Sequence, residues 1–244
     1  MTPKIAIITG VLGGIGSELA KKFKEEGYFV YGLDIRSSEI HEASKLIVFD
    51  LNKFSQGGDY YPKWADFFKN EFQNVDVLIN NAAVQLLGSI EKIRLQDWEE
   101  TLRVNLTGPL LLSQLLLDKL EQSKGCIINI GSIHHQLTKP NFVSYATSKS
   151  ALIGLTKALA VDLQGRVRVN AISPAAIETA MLRAGFDNDE NAIDELRKIH
   201  PVQRIGYPSD VAKMALFLAS DNSGFIHGAN LSLDGGISSV LKDL

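Results

Sequence analysis

The feature that most constrains the fold is a glycine-rich turn between an apolar strand and a helix near the N-terminus. Residues 4–9 are rich in β-branched side chains, which predicts a buried strand. The run leads into Gly10, Gly14 and Gly16, and an amphipathic helical pattern covers residues 17–26. Glycines let the backbone approach a pyrophosphate, and a helix N-terminus offers free N–H groups. The arrangement predicts a dinucleotide site, with a glycine spacing that differs from the usual G-x-G-x-x-G.

An acidic residue, Asp34, follows the second predicted strand and lies 18 residues after Gly16. A carboxylate at this distance is placed to accept hydrogen bonds from the adenosine ribose hydroxyls. It would also repel the 2′-phosphate of NADP, so the sequence favours NAD over NADP. Arg36 is close by and could still meet a phosphate. A capping role for Asp34 without a ligand is the alternative interpretation.

Short strands alternate with helical patterns along the chain, which predicts a parallel sheet with crossover helices on both faces. We expect one α/β domain over residues 1–244, a doubly wound, Rossmann-like sheet of seven strands that carries both cofactor and substrate sites. The predicted strands cover residues 4–9, 28–33, 45–49, 75–80, 125–131, 166–172 and 229–233. Long helices are predicted over residues 95–120 and 143–163. Their apolar surface exceeds what one sheet face needs, which indicates either core packing or a subunit interface.

Tyr145 and Lys149 are four residues apart in a helical pattern, so their side chains share one helix face. A free tyrosine has a pKa of about 10 and is a poor acid–base catalyst at neutral pH. A nearby positive charge favours the phenolate, and a tuned phenol can exchange a proton with an oxygen. Taken alone, such a pair is also typical of a surface tyrosine beside a solvated lysine.

The order of all these motifs resembles that of the short-chain dehydrogenase/reductase family, in its short single-domain branch, over essentially the whole chain. Asn105, Ser132, Tyr145 and Lys149 follow the order and spacing of the family's catalytic tetrad. The other matching motifs are Thr9-Gly10-x-x-x-Gly14-Ile15-Gly16, Asp50-Leu51, Asn80-Asn81-Ala82-Ala83, Arg168-Val169-Asn170 and Asp234-Gly235-Gly236. The cofactor-binding residues that the resemblance implies are Gly10, Leu12, Gly14, Ile15, Gly16, Asp34, Asp50, Leu51, Asn81, Ala82, Tyr145, Lys149, Pro174, Ile177 and Thr179.

This resemblance implies hydride transfer between a nicotinamide cofactor and a carbon that bears a hydroxyl or carbonyl group. We expect Tyr145 to be the acid–base and Ser132 to orient the reacting oxygen. Lys149 is expected to lower the pKa of Tyr145 and to hold the nicotinamide ribose. Asn105 is expected to anchor a water that connects Lys149 to solvent. The chain departs from the family at Ala175, where a glycine usually follows the proline, and this change could narrow the site or alter the loop.

The segment 179–206 follows the sixth predicted strand and is expected to be a mobile substrate lid, because ligands bind at the carboxyl ends of such strands. Met181, Leu182 and Phe186 would supply its apolar contacts. His134 follows the fifth strand and is a candidate for the substrate pocket. Gln85, Arg183 and His200 are weaker candidates, and convergence of these side chains would indicate a polar or anionic substrate.

The net charge of −3 gives no reason to expect nucleic acid or membrane partners. Cys126 is the single cysteine, lies in a strand pattern and is expected to be a packing residue. No metal site is predicted, since His134 and His135 lack further residues at ligand spacing. We expect a small-molecule substrate, a homotetramer or homodimer, and a cytoplasmic location, because the sequence has no membrane-spanning run or signal peptide.

Two other functions are compatible with this fold. One is a catalytically silent nucleotide-sensing or regulatory protein, which the intact set of four candidate catalytic residues argues against. The other is epimerisation or dehydration on the same scaffold, but relatives of that kind tend to have a larger C-terminal substrate region.

Overall fold

The computed structural model describes residues 2–241 and contains a parallel sheet of seven strands in the order β3-β2-β1-β4-β5-β6-β7. The doubly wound sheet was predicted, and each strand lies within two residues of its expected position. The remaining four residues of the expected domain, 1 and 242–244, lie outside the described residues. The strands are β1 (Ile5–Thr9), β2 (Phe29–Asp34), β3 (Lys45–Val48), β4 (Val77–Asn80), β5 (Cys126–Ile130), β6 (Arg168–Pro174) and β7 (Asn230–Leu233).

Helices cover both faces of the sheet because successive strand side chains point to opposite sides. Ala6 and Ile8 of β1 belong to one core, and Ile7 belongs to the other. The first core includes residues of α1 (Gly14–Glu25) and α10 (Pro208–Ala219). The other helices are α2 (Leu51–Gln56), α3 (Tyr60–Glu71), α4 (Leu95–Leu102), α5 (Gly108–Leu115), α6 (Leu117–Ser123), α7 (Val143–Leu163), α8 (Ala180–Ala184) and α9 (Glu190–Ile199).

The prediction of one continuous helix over residues 95–120 is wrong. A π-helical turn over Arg103–Thr107 separates α4 from α5, and a second break at Leu116 separates α5 from α6. Pro109 has no N–H group to donate to the carbonyl four residues earlier, at Asn105, so the regular helical pattern cannot continue there. The N–H of Gly108 instead donates to the Arg103 carbonyl five residues earlier, which widens the turn.

The prediction for α7 is confirmed over residues 143–163, and α1 begins three residues earlier than predicted, at Gly14. Gly14 and Gly16 therefore belong to the first turn of α1 rather than to the loop before it. Cys126 is buried in β5, as expected for a packing residue, and burial raises the pKa of its thiol to about 12. Among residues 2–241, none of the helices is long and apolar enough to cross a membrane.

Candidate active site

The glycine turn is packed so closely that side chains would not fit at two of its positions. Gly10 has a φ of +66°, a conformation that glycine adopts without strain, and a Cβ there would lie 2.9 Å from the Cα of Ala82. A Cβ on Gly16 would overlap the carbonyl oxygen of Gly10. The turn therefore brings the N-terminus of α1 directly to the end of β1. This is the cradle that a dinucleotide pyrophosphate requires.

The residues after β4 are hydrogen-bonded to this turn. The hydroxyl of Thr9 accepts hydrogen bonds from the backbone N–H groups of Asn81 and Ala82, both at 2.9 Å. The Asn81 amide donates to the carbonyls of Thr9 at 2.9 Å and Gly10 at 3.2 Å. These bonds fix the ends of β1 and β4 against each other and shape one wall of the cradle.

Asp34 lies at the end of β2 and is almost fully buried. Its carboxylate accepts a hydrogen bond from the N–H of Leu12 at 2.9 Å, which links it to the glycine turn. The Arg36 guanidinium donates to both carboxylate oxygens, at 3.0 and 3.3 Å. Burial alone would raise the pKa of Asp34, but the hydrogen bonds from Arg36 and Leu12 outweigh it and hold this pKa below its ordinary value. The residue is thus an anion beside the turn.

Asp50 and Leu51 stand at the start of α2. The Asp50 carboxylate accepts from the N–H of Lys53 at 3.0 Å and caps the helix. Leu51 is buried against Gly108, where a Cβ would lie 2.6 Å from the leucine Cγ. The contact of this pair with adenine stays a prediction.

The end of β6 forms the opposite wall. Pro174 and Ile177 are buried, and Thr179 caps α8 by accepting from the N–H of Leu182 at 3.2 Å. A Cβ on Gly14 would lie 2.9 Å from the Thr179 Cγ2, so the root of the predicted lid touches the glycine turn. Ala175 has no positive φ, and its N–H donates to the Leu233 carbonyl at 3.1 Å. The alanine therefore fits this backbone without strain.

Three of the four predicted catalytic residues, Ser132, Tyr145 and Lys149, lie together beside the end of β5. Tyr145 and Lys149 share one face of α7, with the Lys149 Nζ 5.7 Å from the centre of the tyrosine ring. Lys149 is buried, and its ammonium donates to the Ile130 carbonyl at 2.7 Å. The Ser132 hydroxyl interacts with the Tyr145 phenol. This group combines an acid–base phenol, an orienting hydroxyl and a buried cation.

Asn105 connects this group to the π-helical turn. Its side-chain amide donates to the Val84 carbonyl and to the Ser148 hydroxyl, both at 3.0 Å. Its side-chain oxygen accepts from the Val84 N–H at 2.9 Å. The Ser148 hydroxyl in turn donates to the Tyr145 carbonyl at 2.7 Å. Asn105 thus joins the end of β4 to the helix that carries the candidate acid–base.

The prediction that the Tyr145 pKa lies below its ordinary value is wrong. Burial raises the pKa of Tyr145 above its ordinary value, and the hydrogen bond with Ser132 opposes this rise only in part. The Lys149 ammonium is directed to the Ile130 carbonyl, and burial lowers its own pKa to about 8. The phenol is therefore protonated at neutral pH and suited to donate a proton.

The substrate candidate His134 lies against the catalytic group. Its ring stacks on Phe142, with centres 4.3 Å apart and an interplanar angle of 7°, and its edge faces Tyr145 at 5.7 Å. Burial, with the charge of Lys139, lowers the pKa of His134 to about 4. The imidazole is therefore neutral at physiological pH. Its Nδ1 lies 3.1 Å from the Thr138 hydroxyl, so Nε2 is the nitrogen that a substrate could contact.

Two of the other substrate candidates, Arg183 and His200, are hydrogen-bonded to groups other than His134. Arg183 donates to Glu178 at 2.5 Å and to Glu190 at 3.0 Å, so its charge is engaged within the predicted lid. His200 is buried, and its Nδ1 donates to the Leu196 carbonyl at 2.7 Å. Gln85 is half-buried in the segment after β4. In residues 2–241, no three His, Cys, Asp or Glu side chains form a group that could hold a metal ion.

Two residues for which the sequence pattern predicted no catalytic or binding role, His135 and Asn230, are hydrogen-bonded to each other at 3.0 Å beside Ser132. They are 95 residues apart in the chain. No local pattern connects them.

A glycine cradle, a buried acid beside it and a tyrosine–lysine–serine group at the same edge of a parallel sheet define a nicotinamide-dependent oxidoreductase. The family model described as enoyl-(acyl carrier protein) reductase matches residues 10–238. A D-threitol dehydrogenase of Mycolicibacterium smegmatis is 33% identical over 250 residues, covering 96% of this chain and 92% of the relative. The chain belongs to the short-chain dehydrogenase/reductase family, and it is a hydride-transfer oxidoreductase that acts on alcohols or ketones.

Solved structures agree with this assignment. The ligand-free aldohexose dehydrogenase of Thermoplasma acidophilum has a TM-score of 0.92 and 33% identity, covering 99% of this chain and 96% of that one. A gluconate 5-dehydrogenase of Burkholderia cenocepacia in complex with NADP and tartrate has a TM-score of 0.85 and 29% identity. The match covers 98% of this chain and 96% of that one.

Proposed function

We propose that this protein is an NAD-dependent dehydrogenase that interconverts a secondary alcohol and a ketone on a small polyol or sugar. The observation that carries the proposal is the meeting of Tyr145, Ser132 and Lys149 at the edge of the sheet where the glycine cradle lies. The nicotinamide cofactor supplies or accepts the hydride when bound.

In this proposal Tyr145 exchanges the proton. Since burial raises the pKa of this phenol, Tyr145 holds its proton at neutral pH and is ready to protonate the oxygen of a ketone during reduction. During alcohol oxidation the phenol must first lose that proton. Ser132 orients the reacting oxygen by a hydrogen bond. Asn105 and Lys149 keep the roles that the family resemblance implies, in proton supply and in binding of the nicotinamide ribose.

The preference for NAD rests on Asp34. Its carboxylate is beside the N–H of Leu12 in the glycine turn, where it can accept hydrogen bonds from ribose hydroxyls and repel a 2′-phosphate. Arg36 is held by the same carboxylate, so it is not free to attract that phosphate. The related gluconate 5-dehydrogenase holds NADP, and family membership therefore does not determine the cofactor.

The substrate class rests on His134 and on the relatives. The neutral imidazole of His134 beside Tyr145 suits the hydroxyl groups of a substrate. The Arg183 guanidinium is already paired with two carboxylates, so its charge does not favour an anionic substrate. The relatives named for threitol and aldohexose act on such compounds.

The segment 179–206 is proposed to close over the substrate.

We further propose a cytoplasmic homotetramer or homodimer. Val161 on α7 is 78% exposed, and Leu110 on α5 is also exposed, so both helices present apolar surface that a second copy would cover. Size-exclusion chromatography with light scattering at micromolar concentration tests this, and a monomer would contradict it.

The decisive test of function is Tyr145→Phe. Turnover of a panel of polyols, sugars, hydroxy acids, 3-hydroxyacyl thioesters and hydroxysteroids is followed by NADH absorbance, and NADH binding is followed by fluorescence. We expect activity on a polyol or sugar, and we expect Tyr145→Phe to abolish it while NADH still binds. A parent protein that binds NADH but turns over nothing would favour the sensing function. Activity of the variant within a few-fold of the parent would refute the acid–base role.

A further inference from the structure

A line of hydrogen bonds runs from β6 through β7 to the loop that carries Ser132. The Ser173 hydroxyl on β6 donates to the side-chain oxygen of Asn230 on β7 at 2.7 Å. The Asn230 amide lies 3.0 Å from the Nε2 of His135, and the Nδ1 of His135 lies 2.7 Å from the Ser132 carbonyl oxygen. Four residues from three chain segments therefore form one connected chain of polar contacts.

The chemistry of these groups determines which of them donates. A carbonyl oxygen can only accept, so the His135 Nδ1 carries the proton that it shares with Ser132. In the neutral ring Nε2 is then an acceptor, and the Asn230 amide nitrogen is its donor. The orientation of that amide is set by the Ser173 hydroxyl, which donates to the oxygen of Asn230. Each member thus selects the hydrogen-bonding state of the next.

The end of this chain holds Ser132 in place. Its carbonyl accepts a second hydrogen bond, from the backbone N–H of His135 at 3.0 Å. Its hydroxyl oxygen accepts from the N–H of His134 at 3.2 Å, which leaves the hydroxyl proton available for another acceptor. At Gly131, a Cβ would lie 2.6 Å from the Ser173 Oγ, so β6 approaches the Ser132 backbone closely. The serine backbone is therefore fixed from both sides.

We propose that His135 is a positioning residue for Ser132, and that Asn230 and Ser173 maintain the His135 tautomer that donates to the Ser132 carbonyl. The inference rests on the proposed role of Ser132 in orienting the reacting oxygen. A displacement of about 1 Å in such a group costs on the order of 100-fold in rate. A merely structural contact would instead affect stability without acting through the serine.

Two substitutions at His135 separate the two ring nitrogens. In His135→Asn, the amide nitrogen can occupy the place of Nδ1 and still donate to Ser132. In His135→Gln, the longer amide reaches the place of Nε2, keeps a partner for Asn230 and loses the donor to Ser132. We expect His135→Gln to lower kcat by roughly 10- to 100-fold, because Ser132 is misplaced, and His135→Asn to remain within about five-fold of the parent. The Kd for NADH and the thermal midpoint are expected to change little in both.

The same substitution is then made in a Ser132→Ala background, where the serine hydroxyl is gone. We expect His135→Gln to have no further effect on the residual rate there, since its effect passes through that hydroxyl. A loss of equal size in both backgrounds would overturn the proposal, and so would parent-like kcat in His135→Gln. Full activity of Ser132→Ala alone would instead contradict the proposed role of Ser132.

Asn230→Leu provides a second route if His135→Gln folds poorly. It leaves the histidine in place but removes the donor that selects its tautomer. We expect a smaller fall in kcat, of about 3- to 10-fold, that also disappears in the Ser132→Ala background. Parent-like kcat in Asn230→Leu would show that the tautomer is not maintained by β7.

Discussion

Replacing Asp34 by Asn is expected to remove most of the preference for NAD over NADP. The substitution keeps the shape of the side chain and an acceptor for the Leu12 N–H, which lies 2.9 Å from the carboxylate. It removes the negative charge to which Arg36 donates in the parent protein, at 3.0 and 3.3 Å, and thereby releases the guanidinium. Both changes favour a 2′-phosphate at the same place.

The size of the effect follows from Coulomb's law. Two like unit charges about 4 Å apart repel by about 4 kcal/mol at an effective dielectric constant of about 20. The bound Arg36 compensates part of the Asp34 charge, so the net penalty for NADP is about 2 to 4 kcal/mol. We therefore expect the parent to favour NAD in kcat/KM by roughly 30- to 1000-fold, and Asp34→Asn to bring the two cofactors within about 10-fold.

The assay is kcat/KM for both cofactors with one saturating substrate. Asp66→Asn, which removes a charge from an exposed position on α3, is the matched control and should leave the ratio unchanged. In the double variant Asp34→Asn, Arg36→Gln, the gain with NADP should be lost again, because the released guanidinium is its source. A parent enzyme that prefers NADP, or an unchanged ratio in Asp34→Asn, would refute the reasoning.

Further expectations concern the turn, the buried lysine, the tyrosine and the lid. Gly16→Ala should lower the free energy of unfolding in urea by about 1 to 3 kcal/mol and weaken NADH binding, because the new Cβ would overlap the Gly10 carbonyl oxygen. The control Gly165→Ala, which places its Cβ in open space, should leave the free energy of unfolding unchanged. Burial lowers the pKa of Lys149 to about 8 in the folded protein. Above that pH the unfolded chain therefore binds more protons than the folded protein does, and the free energy of unfolding should rise as pH increases from about 8 to 10. This rise should be absent in Lys149→Met. Because the pKa of Tyr145 is raised, the rate of alcohol oxidation should increase with pH through the alkaline range while ketone reduction stays level near neutrality; a flat oxidation profile would contradict this. Hydrogen exchange in residues 179–206 should slow when NADH and a substrate analogue bind, and equal protection with and without them would exclude a lid.

The fold was accessible from the sequence because strand patterns are local. Alternation of apolar strands with helices predicted all seven strands, and spacing along α7 placed Tyr145 and Lys149 on one face. The break at the Asn105 turn had a visible signal in Pro109, whose missing N–H ends the regular helix. The glycine spacing and the distance from Gly16 to Asp34 predicted the cradle because both lie within the short stretch of chain that forms β1, α1 and β2.

Other parts of the site depend on contacts between distant segments. Asn230 meets His135 across 95 residues, and neither residue belongs to a recognisable local motif. Arg183 was a reasonable substrate candidate until Glu178 and Glu190 were found to neutralise it. The direction of the Tyr145 pKa depends on how deeply the phenol is buried, which spacing along a helix does not determine. Such features emerge only when the tertiary arrangement is known.

The contact between Thr179 and Gly14 has a consequence for how tightly cofactor and substrate bind. The root of the segment 179–206 lies against the N-terminus of α1, where a Cβ on Gly14 would lie 2.9 Å from the Thr179 Cγ2. We therefore expect binding of the pyrophosphate at this terminus to change the energy of the segment's closed position. Coupling of this kind is reciprocal: a cofactor that holds the root in position strengthens substrate binding by the same factor as the substrate strengthens cofactor binding. NADH should accordingly lower the Kd of a substrate analogue by the same factor as the analogue lowers the Kd of NADH, and calorimetric titrations in both orders of addition measure the two factors.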